Sequence, residues 1–414
     1  MKSSALALLA ATGLVFSATA AAAENIRVAF IDPLSGAFAA TGQAGLHQAM
    51  FAAEWLSKER NILDGDTIEI VGFDNQASPK ESLIQLQVAI DQGIRFVMQG
   101  NSSGVAHAIT EAVAKHNRRN PDSRVIYLNY AAVDPALTNE KCNFWHFRID
   151  ANADIKMAGL TDVVAANPDI KKVYIIGQDY SFGKAVSAAA NRMLAEKRPD
   201  IEIVGDELHP IGKVKDFTPY ARKIIASEAD AVITGNWGAD MLGLGKSIIE
   251  NGFTGPIYTY YGAGDGATAA FGAAGVNAIR LISEGTAYPP VGQEAEAYIR
   301  AFKEKYPNND INQTRIEKAL EFLANAIKQT GTSEDSFAIA TALEDMSFES
   351  MWGGNMTMRK ADHQNIQDVS VFVQDNVEGP FDFDNSGYGL RIESTVEAAG
   401  ADIPTTCEMD RPEE

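Results

Sequence analysis

The chain has 414 residues, 46% hydrophobic and 22% charged, with 55 acidic against 35 basic side chains for a formal charge of −20. So negative a chain repels nucleic acid and anionic lipid, which excludes both as expected partners, and its length suits two or three domains. Six histidines without H-x-H, H-x-x-x-H or cysteine-paired spacing give no metal site, and no cofactor is expected.

The opening stretch, MKSSALALLAATGLVFSATAAAAE, has one lysine, an apolar run from Ala5 to Phe16 and an alanine-rich end suited to cleavage after Ala23. That run is shorter than the roughly 20 residues a membrane-spanning helix needs. Residues 1–23 therefore read as a signal peptide, and no later segment reads as a membrane span.

From Asn25 the pattern alternates: IRVAFI as strand, 45–58 as helix, TIEIVGF as strand, 79–91 as helix, IRFVM as strand, 103–116 as helix, RVIYL as strand. Short apolar strands alternating with helices predict a parallel sheet covered on both faces. A second round follows FWHFRID, with strands KVYIIG, IEIVGDE, DAVITG and PIYTYY separated by helices. Beyond Arg280, LISEG precedes three helical stretches at 293–305, 312–329 and 333–343, too few elements for a third sheet. NMTMRK and VSVFVQ, about the turn ADHQNIQ, read as an antiparallel hairpin, and residues after Gly379 as irregular.

The expected organisation is α/β: two Rossmann-like, doubly wound lobes joined by more than one chain crossing, a hinged clamp. The expected divisions are 24–149 plus about 285–352 for the N-terminal lobe, 150–284 plus about 353–400 for the C-terminal lobe, and a tail at 401–414. Cys142 and Cys407 are the only cysteines. In an exported protein an even count usually means a bridge, with two buried free thiols as the alternative.

Ligands of open parallel sheets bind beyond the C-terminal ends of the strands. The loops there are rich in aromatics: Phe38, Tyr130, Tyr180, Phe182, Trp237, Tyr260 and Tyr261. Each alone reads best as core, but seven on one edge of two sheets read as the lining of an apolar pocket. Gly100-Asn101-Ser102-Ser103-Gly104 follows a strand and opens a helix with apolar Val105, Ala108, Ile109, Ala112 and Val113. Ser102 or Ser103 is then an N-cap, and free N–H groups with a hydroxyl at a helix start can hold a small carboxylate. The same letters fit the G-x-S-x-G of a hydrolase, which would need an acid and then a histidine. Asp265 and His363 have that order, but one large sheet would be required and two are expected. GAGDG at 262–266 lacks the full dinucleotide fingerprint and reads as a loop.

These loops carry a family likeness. Through RVAFIDPLSGAFAATG, DNQASPKESLIQLQVAIDQGIRFVMQGNSSG, NYAAVDPALT, DYSFGKAV, GNWGADM and WGGNMTMRKADHQ, the chain resembles the leucine/isoleucine/valine-type solute-binding proteins of bacterial ABC importers. The resemblance implies a type I periplasmic binding fold with a three-segment hinge, a periplasmic monomer, a membrane permease as partner and no catalysis. It implies that Ser102 binds a ligand carboxylate with backbone groups near Ala131 and Val133, while Phe182 and Trp237 cover the ligand from the other lobe; Ser103, beside it at the helix start, is counted with the site. Phe38, Tyr130, Tyr261 and Asp265 complete the expected site. Two positions depart from amino-acid binders: Val133 stands where they usually place a threonine, and Tyr261 where they place an acid for the ammonium. Asp265 or Asp134 could substitute. An unpaired ammonium in a closed cleft is costly, so an amine-free carboxylate with an apolar or aromatic body stays open beside an amino acid.

Overall fold

The computed structural model describes residues 23–413, so the expected signal peptide lies outside the described residues except for Ala23. The first half builds β1 (Asn25–Asp32), α1 (Ala39–Glu54), β2 (Thr67–Asp74), α2 (Pro79–Asp91), β3 (Phe96–Gln99), α3 (Ser103–Arg119), β4 (Ile126–Asn129) and β5 (His146–Arg148). All five strands pair in parallel. The β3 and β4 strands are buried along their whole length because helices cover both faces, which is why they read as unbroken apolar runs. Local signals set the helix starts. Ser78 accepts the Glu81 N–H at 3.3 Å with Pro79 at the first helical position of α2.

The second half adds α4 (Ala153–Ala166), β6 (Lys172–Gln178), α5 (Ser181–Lys197), β7 (Glu202–His209), α6 (Thr218–Ala226), β8 (Ala231–Thr234), α7 (Gly238–Glu250), β9 (Ile257–Thr259), α8 (Ala267–Gly275) and β10 (Ile279–Ser283). The chain then returns to the first half through α9 (Gln293–Lys305), α10 (Thr314–Thr330) and α11 (Ser336–Leu343), whose Tyr298, Phe302, Leu320 and Ile339 share one core with β1, β3 and β4. The strands β11 (Ser347–Glu349), β12 (Asn355–Arg359) and β13 (Gln364–Ile366) follow, then β14 (Val369–Asn376), β15 (Tyr388–Val396) and the short α12 (Ala398–Ala401).

Two sheets result, ordered β11-β12-β13-β5-β4-β3-β1-β2 and β15-β14-β10-β9-β8-β6-β7. The expected hairpin is not formed between NMTMRK and VSVFVQ. Instead β12 pairs with the three-residue β13 in the first sheet, while β14 joins β10 and β15 in the second. The switch between sheets falls at Gln367–Asp368 rather than near 352, because β14 is buried between two partners whereas β13, reading Gln-Asn-Ile, lacks any strand signal. Likewise 388–396, expected to be irregular, is a nine-residue strand held by its pairing to β14.

Three passages connect the layers, at 149–152, 283–287 and 367–368. They lie together around buried charge. The Lys156 ammonium sits 2.6 Å from Asp150 and 3.5 Å from Glu284, and Lys318 donates to the Glu284 carbonyl at 2.8 Å and to Gln367 at 2.9 Å. Burial and the adjacent Glu284 carboxylate push Asp150 up to about 6. Burial also opposes ionisation of Glu284, but Lys156, Arg315 and Lys318 outweigh it and hold that carboxyl far below its usual range. A fourth passage is covalent: after β15 the tail crosses back, Thr405 donates to the Thr138 carbonyl, and Cys407 is bonded to Cys142.

Candidate ligand site between the two sheets

The loops after the strands of both sheets converge on one cavity of about 950 Å³, its open mouth included. On the first sheet's side the organising group is Asp32, the last residue of β1 and wholly buried. Its carboxylate accepts the Tyr130 hydroxyl at 2.5 Å, the Asn101 N–H at 3.0 Å and the Gly100 N–H at 3.3 Å. Burial pushes Asp32 up to about 7, against the pull of those donors. The first two amides after β3 are thus spent inside the protein, and an anion would meet the next ones, at Ser102 and beyond. A Cβ at Gly100 would fall 2.6 Å from the Tyr130 ring, so only glycine permits the loop to close over that tyrosine.

Ser102 sits at φ 82°, ψ 111°, a conformation unusual for a side chain-bearing residue, and makes no capping bond to α3. Its hydroxyl is left for the cavity, which Ser102 lines. Ser103 instead accepts the Asp134 N–H at 3.2 Å and joins the two loops. Burial would raise the Asp134 carboxyl, but hydrogen bonds from His107, at 2.8 Å, and from Ala136 N–H hold it below its usual range. Ala131 and Val133 line the cavity with their carbonyls already engaged, by the Tyr261 hydroxyl at 3.3 Å and by Ala153 N–H at 2.9 Å.

From the second sheet come Tyr180, Phe182, Trp237, Tyr260 and Tyr261. The Trp237 indole N–H donates to the Tyr180 hydroxyl at 2.8 Å, and Phe182 lies 6.1 Å from Tyr261. The Tyr261 hydroxyl also lies 3.2 Å from Asp150, linking the site to the crossings. Asp265 lines the cavity too, but its two oxygens accept from Thr41 and Asn312 of the first half, each at 2.9 Å. Burial pushes it up to about 6.

Eight of the ten expected site residues line this cavity: Ser102, Ser103, Ala131, Val133, Phe182, Trp237, Tyr261 and Asp265. Tyr130 does not line it; the ring is fully buried beside Phe30 and its hydroxyl serves Asp32. Phe38 also stands outside the lining. It stacks on Trp237 across the cleft, centroids 4.1 Å apart, and Gly238 at φ 57° makes room, since a Cβ there would lie 2.9 Å from the Phe38 ring. Sequence reasoning missed Asp32, Thr41 and the run Ile311–Arg315. An acid ending a buried strand was a visible signal for Asp32; nothing local marks 311–315.

His363, the histidine a hydrolase reading would use, bonds Glu344 at 2.9 Å and stacks on Phe147. Among the described residues no cluster of three or more metal-ligating side chains occurs, and no helix is long and apolar enough to cross a membrane.

Two parallel-rich sheets with a cavity at the facing ends of their strands define a bilobal solute-binding protein of type I periplasmic architecture. A model of the periplasmic binding protein family matches residues 25–378, and the chain belongs to that family. It is 31% identical over 412 residues to a Leu/Ile/Val-binding protein homolog 4 of Brucella abortus, covering 95% of each chain. Among solved structures it resembles the closed Leu-, Ile-, Val-, Thr- and Ala-binding protein of Brucella ovis, with a TM-score of 0.80 and 29% identity over 94% of this chain and all of that one. An ABC transporter solute-binding protein from R. palustris in complex with benzoate shares the fold, at a TM-score of 0.77 and 18% identity, over 93% of this chain and 99% of that one.

Proposed function

We propose that the protein is the periplasmic substrate-binding component of an ABC importer, capturing a small carboxylate-bearing solute by closure of the two halves and presenting it to a permease. The observation that carries this is the pairing, around one cavity, of a helix start with a free serine hydroxyl on one side and the five aromatic side chains Tyr180, Phe182, Trp237, Tyr260 and Tyr261 on the other. The helix dipole and amides favour the carboxylate, the aromatics desolvate the body, and contact with both halves at once stabilises closure. The relatives named for leucine, isoleucine and valine support an amino acid as the solute.

One observation favours an amine-free acid instead. Among the described residues Asp265 is the one carboxylate lining the cavity, and its two oxygens accept from Thr41 and Asn312 rather than facing a ligand ammonium. The benzoate-bound R. palustris neighbour supports this second reading. The test is a thermal-shift and calorimetric comparison of leucine, 4-methylpentanoate and benzoate, since bound solute raises the melting temperature. Preference for 4-methylpentanoate over leucine selects the amine-free class. Failure of every carboxylate tried, or binding untouched by Ser102→Ala, would refute the site.

A further inference from the structure

We propose that the C-terminal tail is a strap across the hinge, and that its covalent anchorage at Cys142 narrows the open state and so favours closure on a solute. The proposal concerns the movement of the two halves and does not depend on which solute the cavity takes.

The tail belongs to both halves in turn. Up to Ile403 it is part of the second: β15 pairs with β14, Ala398 N–H donates to Asp368 at 2.8 Å, and Ala401 is buried in the core shared by α4, α5 and β6, with Ile403 packed against it. From Thr405 it is part of the first. Thr405 donates to the Thr138 carbonyl at 2.7 Å, Thr406 N–H donates to Asn139 at 2.9 Å, Met409 packs against the core of the first sheet, and Arg411 pairs with Glu344. The crossing itself is Pro404, a residue with a fixed φ and no N–H. Arg359 of β12 grips it from the first half, its Nη1 donating to both the Asp402 carboxylate and the Ile403 carbonyl.

Hydrogen bonds and exposed ion pairs of this kind can break and re-form as the halves part, but the bond between Cys142 and Cys407 stays. The four peptide steps from Ile403 to Cys407 reach at most about 14 Å, so with the 5.7 Å Cα separation across the bridge Ile403 is kept within about 20 Å of Cys142. The strap is fully engaged while the halves are together, with Phe38 stacked on Trp237 and Asp265 accepting from Thr41 and Asn312 across the cleft. It therefore costs the closed arrangement nothing and removes the widest open ones, which lowers the entropy lost when the halves close.

Two variants separate the strap from the bridge's effect on folding stability. Cys142→Ser with Cys407→Ser frees the tail, whereas Gly-Ser-Gly-Ser inserted between Pro404 and Thr405 keeps the bridge and only lengthens the strap. Small-angle X-ray scattering of the solute-free protein is the first readout: in both variants the radius of gyration should rise by about 0.5 Å or more from the roughly 21 Å of a compact chain this long. Calorimetry with leucine and benzoate is the second: for whichever the parent binds, Kd should rise about three- to tenfold in both variants, because apparent affinity falls with the fraction of closure-competent protein. Melting temperatures check folding, and if the double serine variant is unfolded the insertion decides. Unchanged scattering in the folded variants, or a Kd that rises less than about threefold, overturns the strap. If neither solute binds the parent, the proposed function is what fails, and the scattering alone decides for or against the strap.

Discussion

Phe38 offers a probe of closure because it does not line the cavity and stacks on Trp237 from across the cleft. Its ring stacks on Trp237 at 4.1 Å and would meet a Cβ placed at either Gly212 or Gly238, all three on the opposite half. Aromatic pairs contribute about 0.5–1.5 kcal/mol beyond area burial, and full burial of a phenylalanine about 1.5–3 kcal/mol. Since part of that ring is covered by its own half, the share present only on closure is about 2 kcal/mol in total. Phe38→Ala should therefore weaken solute binding roughly 30-fold at 1.4 kcal/mol per decade. The assay is isothermal calorimetry on the tightest acid found, with Trp237→Ala and the double variant completing a cycle. The pair should couple, because either single change already breaks the stack. If Phe38→Ala binds within threefold of the parent, or the two changes are additive, the cross-cleft stack does not govern closure.

Ser102→Ala should cost about 1–3 kcal/mol of carboxylate binding, the value of a charge-assisted hydrogen bond, read as a 5- to 150-fold rise in Kd. Affinity should also depend on pH through Asp265, which burial between the halves raises to about 6 from 3.8. Closure then takes up a proton between about pH 4 and 6, so the extra stabilisation is complete at low pH and lost as pH rises through 6. Roughly tenfold tighter binding is expected at pH 5 than at pH 7.5, and Asp265→Asn should flatten the profile; a parent Kd equal at both pH values would contradict the assignment. Replacing Cys142 and Cys407 together by serine should remove about 2–4 kcal/mol of stability. Thermal melts with and without dithiothreitol check this, and an unchanged parent melting temperature would show that the bridge contributes nothing.

Much of the first sheet was legible along the chain. β1, β3 and β4 are buried on both faces and spell themselves as apolar runs, and Ser78-Pro79 announces α2 by local chemistry. The second sheet's core strands read the same way. β13 and β15 did not, since one is a three-residue polar segment and the other a strand with exposed Arg391, Ile392 and Glu393, defined by its partners alone. The site divides similarly. Aromatics at strand ends and the glycine-serine turn marked most of the lining, but Tyr130 was indistinguishable in sequence from Tyr261, and only the fold sends one hydroxyl inward to Asp32 and the other across the cleft.

What the amino-acid order determined by itself was the succession of strands and helices, the loops that face the cleft and the pair of cysteines able to join. All of these depend on interactions within a few residues or on counting. What tertiary structure alone decided was which sheet the late strands enter, that Asp32 consumes the first amides of the anion loop, and that residues 311–315 arrive beside residues 100–103. Those outcomes follow from contacts between segments far apart in the chain, 68 residues in the case of Asp32 and Gly100, and such contacts leave no periodic trace in either segment.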